Sequence, residues 1–464
     1  MTENSRKIIY GVNDTPPWRT LLLLSFQQMM LMFTAATLPA ILVRAVGGTT
    51  GEASSMVALT MIIAGVGSII QGSRNRWIGS GYLCPNICGP SYLAVSMQAA
   101  WAGGIPLMRG MILFAGLVEM LLAKTVNRLR FLFPPVVTGL TVTMVGVSVI
   151  PVSVANFFGT RFAGDYFGWQ DACVGAVALA VMFGTNIWAK GRMKMYCLLL
   201  GMGAGWLLAI WLQPGSLDNL EGVIHAPWFA FPSPGSLKLG FSFRLLAPFL
   251  IIAVCGTLKS FGNLIAAQKI SEPELDQLKM KPIGKGLLAD GFTTALAGAT
   301  GAMAVDTSSS NVGLAAATGA VSRKIAICAG AIFALLGFAP KISTAISLIP
   351  APVVGASMIF AVTFMICTGL EEMLSQKFDQ RKIFAVGCSL IFGLGTGLVP
   401  DVFERMPHLL QIFFAEPLSS TIILVVILYQ IFHLDELIAA VRKKKQVNHA
   451  EDSRIDSDSR SRRR

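Results

Sequence analysis

Apolar runs of roughly 18 to 25 residues, separated by short charged or Gly/Pro-rich breaks, recur along the chain, and that is the length a helix needs to cross the hydrocarbon layer of a bilayer. A transmembrane β-barrel would instead show alternating segments of about ten residues. Hydrophobic residues make up 54% of the 464 and charged residues 13%, whereas a soluble domain is about a quarter charged. Water is therefore not the main solvent of this chain. The first strong run, Thr20 to Pro39, follows a polar leader without a small-residue cleavage site, so it reads as a retained helix and not a signal peptide.

About fourteen spans of bilayer length can be laid out. They run Thr20 to Pro39, Ala53 to Gly72, Pro85 to Gln98, Pro106 to Thr125, Phe133 to Ala155, Phe167 to Trp188 and Met195 to Leu212, then Leu245 to Gln268, Ile283 to Ala299, Val305 to Thr318, Ser322 to Ala339, Ile346 to Leu370, Ile383 to Val399 and Leu409 to Phe432. With a cytoplasmic N-terminus, the loops after even-numbered spans should hold the Lys and Arg. They carry Arg74 and Arg76; Lys124, Arg128 and Arg130; Lys190, Arg192 and Lys194; Lys269, Lys279, Lys281 and Lys285; Arg323 and Lys324; and Lys377, Arg381 and Lys382. The opposite loops hold scattered cations such as Arg44, Arg161, Lys341 and Arg405. The charge pattern thus supports an even span count, with both termini cytoplasmic in the inner membrane.

The net charge of +12 follows this topology and is not gathered on a soluble domain, so nucleic acid is not an expected partner. Residues 1–19 read as a cytoplasmic leader, 20–434 as the transmembrane domain and 435–464 as a basic disordered tail. Six of the eight cysteines sit inside apolar runs, where a thiol behaves as a small hydrophobe. Cys84 and Cys88 are close in sequence but have no His or third Cys nearby, so no metal or other cofactor is expected.

Two spans are interrupted. The third opens Cys84, Pro85, Asn86, Ile87, Cys88, Gly89, Pro90, Ser91, Tyr92, and the prolines force its backbone to be extended or kinked. The tenth runs from Gly298 through Asp306, Thr307, Ser308, Ser309, Ser310 and Asn311 to Gly313, too polar and Gly-rich to face lipid. Irregular backbone at membrane depth is tolerated only where it is buried in protein or lines a cavity. A broken pair at matching positions in two halves is the best sequence pointer to a transporter site. The two are seven spans apart, and an odd number per half inverts the second half relative to the first. The predicted fold is therefore an all-α polytopic membrane protein of about 14 spans in two inverted repeats of seven.

At these residues the chain resembles the nucleobase–ascorbate transporter family, also called nucleobase:cation symporter 2, over nearly its whole length. The family signature of Asn, one residue, Gly, four residues and Thr is matched by Asn311, Gly313 and Thr318. Gln27 and Gln28 stand where the family has a Gln-His pair, Tyr92 where it has an aromatic whose amide contacts substrate, and Asp290 where an Asp often opens span nine. Three positions depart from the pattern. Lys259 replaces the usual span-eight Glu, and Asn263 replaces the Asp four residues later; Ser310 occupies the place of a span-ten Glu or Gln.

The resemblance implies a core of spans 1–4 and 8–11, a gate of spans 5–7 and 12–14, and alternating-access transport of a purine such as xanthine or urate, with proton symport. The expected substrate residues are Tyr92, Lys259, Ser310, Asn311 and Gln28, with Asp290, Asn263 and Asp306 as coupling or structural polar groups. Lys259 lies deep enough that three readings stand: snorkelling, pairing with Asp290 or Asp306, or contact with substrate or an anion. Asp290 reads as a helix cap or a member of an ion pair, and Glu119 as a topogenic or loop-bonding carboxylate near the cytoplasmic end of span four. An anion carrier or a uniporter is the alternative within transport. A channel would need polar residues lining many spans, and an enzyme would need a catalytic motif that the sequence lacks. Expected partners are a small solute, membrane lipid and a second copy in a homodimer.

Overall fold

The computed structural model describes residues 8–33, 35–129, 134–159, 168–189, 193, 197–212, 221–233, 238–274, 278–399 and 417–434. Leader residues 1–7, the loop cations Arg130, Arg161, Lys190, Arg192, Lys194 and Arg405, and the tail 435–464 lie outside the described residues.

Within the described residues each expected span overlaps a helical element; residues 409–416 of the expected fourteenth span lie outside them. The first half contains α1 (Trp18–Phe33) and α2 (Leu38–Ala45), α3 (Thr50–Gly72), a strand β1 (Asn86–Cys88) leading into α4 (Leu93–Leu129), then α5 (Pro135–Phe157), α6 (Trp169–Trp188) and α7 (Cys197–Leu212). After the short α8 (Glu221–His225), the second half contains α9 (Leu246–Ser271), α10 (Met280–Thr300), β2 (Val305–Thr307) leading into α11 (Ser309–Thr318), α12 (Arg323–Gly337), α13 (Pro340–Ser347), α14 (Ala351–Met373), α15 (Gln380–Leu398) and α16 (Pro417–Phe432). Among the described residues seven helical stretches, one of them α1 together with α2, are long and apolar enough to cross a bilayer, eight if α12 and α13, bent by 82°, form one span. The chain is a multi-pass membrane protein.

Local chemistry sets the breaks. Thr49 and Glu52 form a reciprocal capping box at the start of α3. Expected spans three and four run on as α4, but Gly103 and Gly104 leave helical geometry, Gly104 at φ 73°, just before Pro106; no residue with a Cβ adopts that conformation cheaply. The helices of the first and eleventh expected spans, α1 and α12, are each followed by a second short piece, α2 and α13, which begins at the expected span's end. Pro39 and Pro340 each fall at the first turn of the second piece, where a missing amide costs nothing. Arg109, buried within α4, donates to the carbonyls of Gly298 (3.4 Å) and Ala299 (2.6 Å), placing a cation on the negative end of α10.

Two compact units divide the chain: Met1–Arg130 with Val142–Thr368, and Phe131–Thr141 with Gly369–Arg464. In the second, α15 packs on α16, with Gly393 seated against Thr421. In the first, α3 lies along α12 and α4 along α10. These are spans two with eleven and four with nine, so exchanging the halves maps one contact onto the other. Glycines permit both approaches. A Cβ on Gly65 would come within 2.5 Å of the Gly330 carbonyl, and one on Gly330 within 2.6 Å of the Gly65 carbonyl. Gly116 and Gly298 meet the facing backbones of α10 and α4 in the same way.

Loops of the first unit gather by parity. At one end, Lys285 donates to the Asn75 carbonyl (3.0 Å), and residues 8–15 lie along the segment after α11. There Ile9 donates to Gly319 (2.8 Å), Val321 to Tyr10 (3.0 Å) and Arg323 to Val12 (3.0 Å). Ile8, Tyr10 and Val12 pack on Leu83, Ala315, Val321 and Ile325. At the other end, Arg44 donates to Ile349 (2.9 Å), Trp101 to Ala45 (3.0 Å), Gly240 to Pro106 (2.8 Å) and Ala230 to Phe338 (3.0 Å). Every loop in the first group follows an even-numbered span or precedes the first; every loop in the second follows an odd-numbered one.

Candidate functional site

The two broken segments meet. β1 and β2 pair antiparallel with Asn86 opposite Thr307, Ile87 opposite Asp306 and Cys88 opposite Val305. The ladder continues through Gly89 to Ala304 (2.8 Å) and Ser308 to Pro85 (2.9 Å). Extended backbone at membrane depth is satisfied here by a partner from the other half. Each strand then turns into a helix start, through Pro90–Tyr92 on one side and Ser308 on the other. The Ser308 hydroxyl accepts from the Asn311 amide (3.3 Å). The amides of Ser309 and Ser310 stand in the first turn, where no carbonyl of the helix can reach them.

Lys259, on α9, binds Asp306 of β2 at 2.8 Å. Of the three readings its depth allowed, the geometry is that of an intramembrane ion pair. The partner is Asp306 and not Asp290, because Asp290 is held from elsewhere. Ser260 donates to Asp290 Oδ2, and Asn86 donates to its Oδ1 (2.9 Å). Asp290 lies in the middle of α10, which corrects the reading of it as a helix cap: the helix begins at Met280, well before the Asp-Gly pair.

From Ser260 a chain of hydrogen bonds runs across to α11. The Thr307 hydroxyl donates to Ser260 (2.8 Å), Asn263 donates to the Thr307 carbonyl (3.0 Å) and hydroxyl (3.1 Å), and Ser309 donates to Asn263 Oδ1 (2.8 Å). Asn263 thus ties α9 to both β2 and α11. Asn311 and Gln28 are both buried and bond each other: Asn311 Nδ2 donates to Gln28 Oε1 (2.6 Å) and O (2.8 Å), and Gln28 Nε2 to the Asn311 carbonyl (3.3 Å). Ser309 and Ser310 are exposed, as are Gly262 of α9 and Gly313 of α11. An added methyl at either glycine would meet nothing within 4 Å. Together with the Lys259 side chain, 24% exposed, these positions form an open polar face between α9 and the start of α11.

Tyr92 is fully buried, and its amide donates to the Gly89 carbonyl (3.1 Å). Its phenol donates to Glu119 Oε1 at 2.6 Å. Glu119 is only 2% exposed, which corrects the reading of it as a loop-bonding carboxylate. Spans three and four form the one kinked element α4, which folds back at Gly103–Gly104 and so returns Glu119 to Tyr92. A carboxylate in an apolar stretch beside Gly116 was the available signal.

The model of the Permease family, of the xanthine/uracil type, matches residues 19–402. The chain is similar to the uric acid permease PucJ of Bacillus subtilis, with 29% identity over 84% of this chain and 87% of the relative. It is similar also to the xanthine permease of Bacillus subtilis, with 26% identity over 88% of this chain and 93% of the relative. Among solved structures it resembles the transmembrane domain of a cyanobacterium bicarbonate transporter, BicA, at a TM-score of 0.55 and 14% identity, covering 92% of this chain and 100% of the other. The murine Slc26a9 anion transporter in its inward-facing state matches at a TM-score of 0.59 and 9% identity, over 91% of this chain and 69% of the other. The solved structures share the fold.

Proposed function

The chain belongs to the xanthine/uracil Permease family and is a nucleobase transporter, not an enzyme; from that premise we propose that its solute is a purine such as xanthine or urate, carried by alternating access past the open face between α9 and α11. The names of the relatives support the purine. The observation that carries the reading is the convergence on that face of a Lys259 cation, the exposed Ser310 hydroxyl and the first-turn amides of α11. Such groups donate to carbonyl and ring-nitrogen acceptors, and a helix start favours negative charge.

Purified protein in proteoliposomes should take up labelled xanthine or urate saturably, each competing with the other. Saturable uptake of bicarbonate or another non-heterocyclic anion, with no purine uptake, would overturn the proposal.

A second reading rests on the Lys259–Asp306 pair itself. A residue that could take up and lose a proton in relatives of the symporter type is here a cation already matched to a carboxylate. Transport would then run without a proton gradient, or favour deprotonated ligand. Uptake by the native chain with and without an imposed pH gradient separates this uniport from symport, and Lys259→Glu should change gradient dependence or ligand choice. We further propose that spans 1–4 and 8–11 carry the solute against a gate of spans 5–7 and 12–14, in the inner membrane, with both termini cytoplasmic.

A further inference from the structure

Tyr92 and Asn311 occupy equivalent places in the two halves. Tyr92 stands six residues beyond Asn86, the first residue of β1, and Asn311 six beyond Val305, the first of β2. Each is buried, and each closes the turn from strand to half-helix. Asn311 is pinned by Gln28 of α1, and Tyr92 by Glu119 of α4.

The Tyr92–Glu119 pair is also enclosed on its far side. A Cβ on Gly256 of α9 would come within 2.9 Å of Glu119 Oε1 and 3.4 Å of the Tyr92 hydroxyl, and one on Gly291 of α10 within 2.9 Å of the Glu119 Cβ. Three helices therefore fix where the phenol ends. Gly256 lies one turn before Lys259 and Ser260 on α9, and Gly291 follows Asp290 on α10.

We propose that Glu119 is a positioning residue for solute recognition: by holding the Tyr92 hydroxyl it fixes the first half-helix start, and through the β1–β2 ladder the Lys259–Asp306 pair, as Gln28 does for the second start. This rests on the reading of the chain as a purine carrier. Glu119 itself stays behind the tyrosine and touches no solute.

The test is a double-mutant cycle on xanthine or urate uptake, normalised to inserted protein. Glu119→Leu and Tyr92→Phe each remove one end of a buried hydrogen bond, so each should raise the apparent KM about tenfold, with a smaller change in maximal rate. The double variant should be no worse than the weaker single, and Glu119→Gln, which keeps an acceptor for the phenol, should stay near the native value. Additive losses, or an unchanged KM with loss of abundance alone, would overturn the proposal. A second arm needs no transport substrate: the alkylation rate of Ala94→Cys, half-buried two residues beyond Tyr92, read by mass spectrometry of its peptide. Glu119→Leu should change that rate and Glu119→Gln should not. An equal rate in both would overturn the proposal even if neither purine proved to be the solute. If Glu119→Leu does not insert, Tyr92→Phe, which removes a single oxygen, carries the same comparison.

Discussion

The two ends of the Lys259–Asp306 ion pair are buried unequally, 24% exposed at the lysine side chain and 1% at the aspartate. Removing one member of a buried pair leaves the other uncompensated, at a cost of about 3–5 kcal/mol when the remaining charge is dry. Lys259→Met would strand Asp306 in a dry position, whereas Asp306→Asn would leave an ammonium that water can still reach. Melting of the detergent-purified protein should therefore show the larger loss for Lys259→Met, with the double variant recovering part of it; equal losses would mean that water reaches both charges. That an intramembrane lysine pairs with a carboxylate was one of three readings the sequence left open, because an isolated cation at that depth is costly. Which carboxylate it finds could not be read there. Asp290 and Asp306 differ by what surrounds them, and Asn86 and Ser260 come from elements remote in sequence. Glu119 was misread for a related reason: its surroundings depend on how sharply Gly103 and Gly104 turn the chain, an angle that a two-glycine break permits but does not specify.

At the level of elements, breaks in the helices were more legible than contacts between them. Pro85, Pro90 and the polar run at Ser308–Asn311 announce interrupted spans because backbone chemistry is local. The same rules apply at Pro39 and Pro340, but these prolines fall at the ends of the expected runs, and the short second pieces α2 and α13 begin there. The pairing of β1 with β2 follows from the demand that backbone at membrane depth be satisfied, but its register required coordinates. Helix crossings at Gly65–Gly330 and Gly116–Ala295 depend on small residues facing each other, and glycines are too frequent in this chain to single these out. Gly65→Leu would force α3 from α12 and should abolish stable insertion, whereas Gly203→Leu, at a position where a Cβ meets nothing within 4 Å, should leave the fold intact. Fluorescence-detected size-exclusion profiles of tagged variants would show the difference. The segment 8–15, expected as part of a simple leader, is a strap bonded to the residues after α11. Removing residues 2–12 would expose Leu83, Val321 and Ile325 and leave the carbonyl of Gly319 without its partner Ile9. The truncated chain should melt several degrees below the full one; an unchanged melting temperature would show that the strap adds nothing to the fold.

Across the whole molecule, charge and geometry make the same division by separate routes. Loop charges assign each connection to one side by counting Lys and Arg, while hydrogen bonds sort the loops of the first unit into two ends without reference to charge. Both put Asn75, Lys285, residues 8–15 and Arg323 together, and Arg44, Trp101, Phe338 and Gly240 apart from them. The two sortings agree for the loops of the first unit, from residue 8 to Ile349, and which end faces which side of the membrane is a separate matter. By the rule that cytoplasmic loops carry the excess of Lys and Arg, the first group is expected in the cytoplasm. Single cysteines at Asn75 and Lys324 should then resist a membrane-impermeant thiol reagent in intact cells and react after permeabilisation. Cysteines at Trp228 and Lys341, which stack on each other at the opposite end (4.1 Å), should react from outside. Reaction at Asn75 and Trp228 together in intact cells would contradict the two-ended arrangement, while a clean exchange of the two patterns would keep the fold and reverse its orientation.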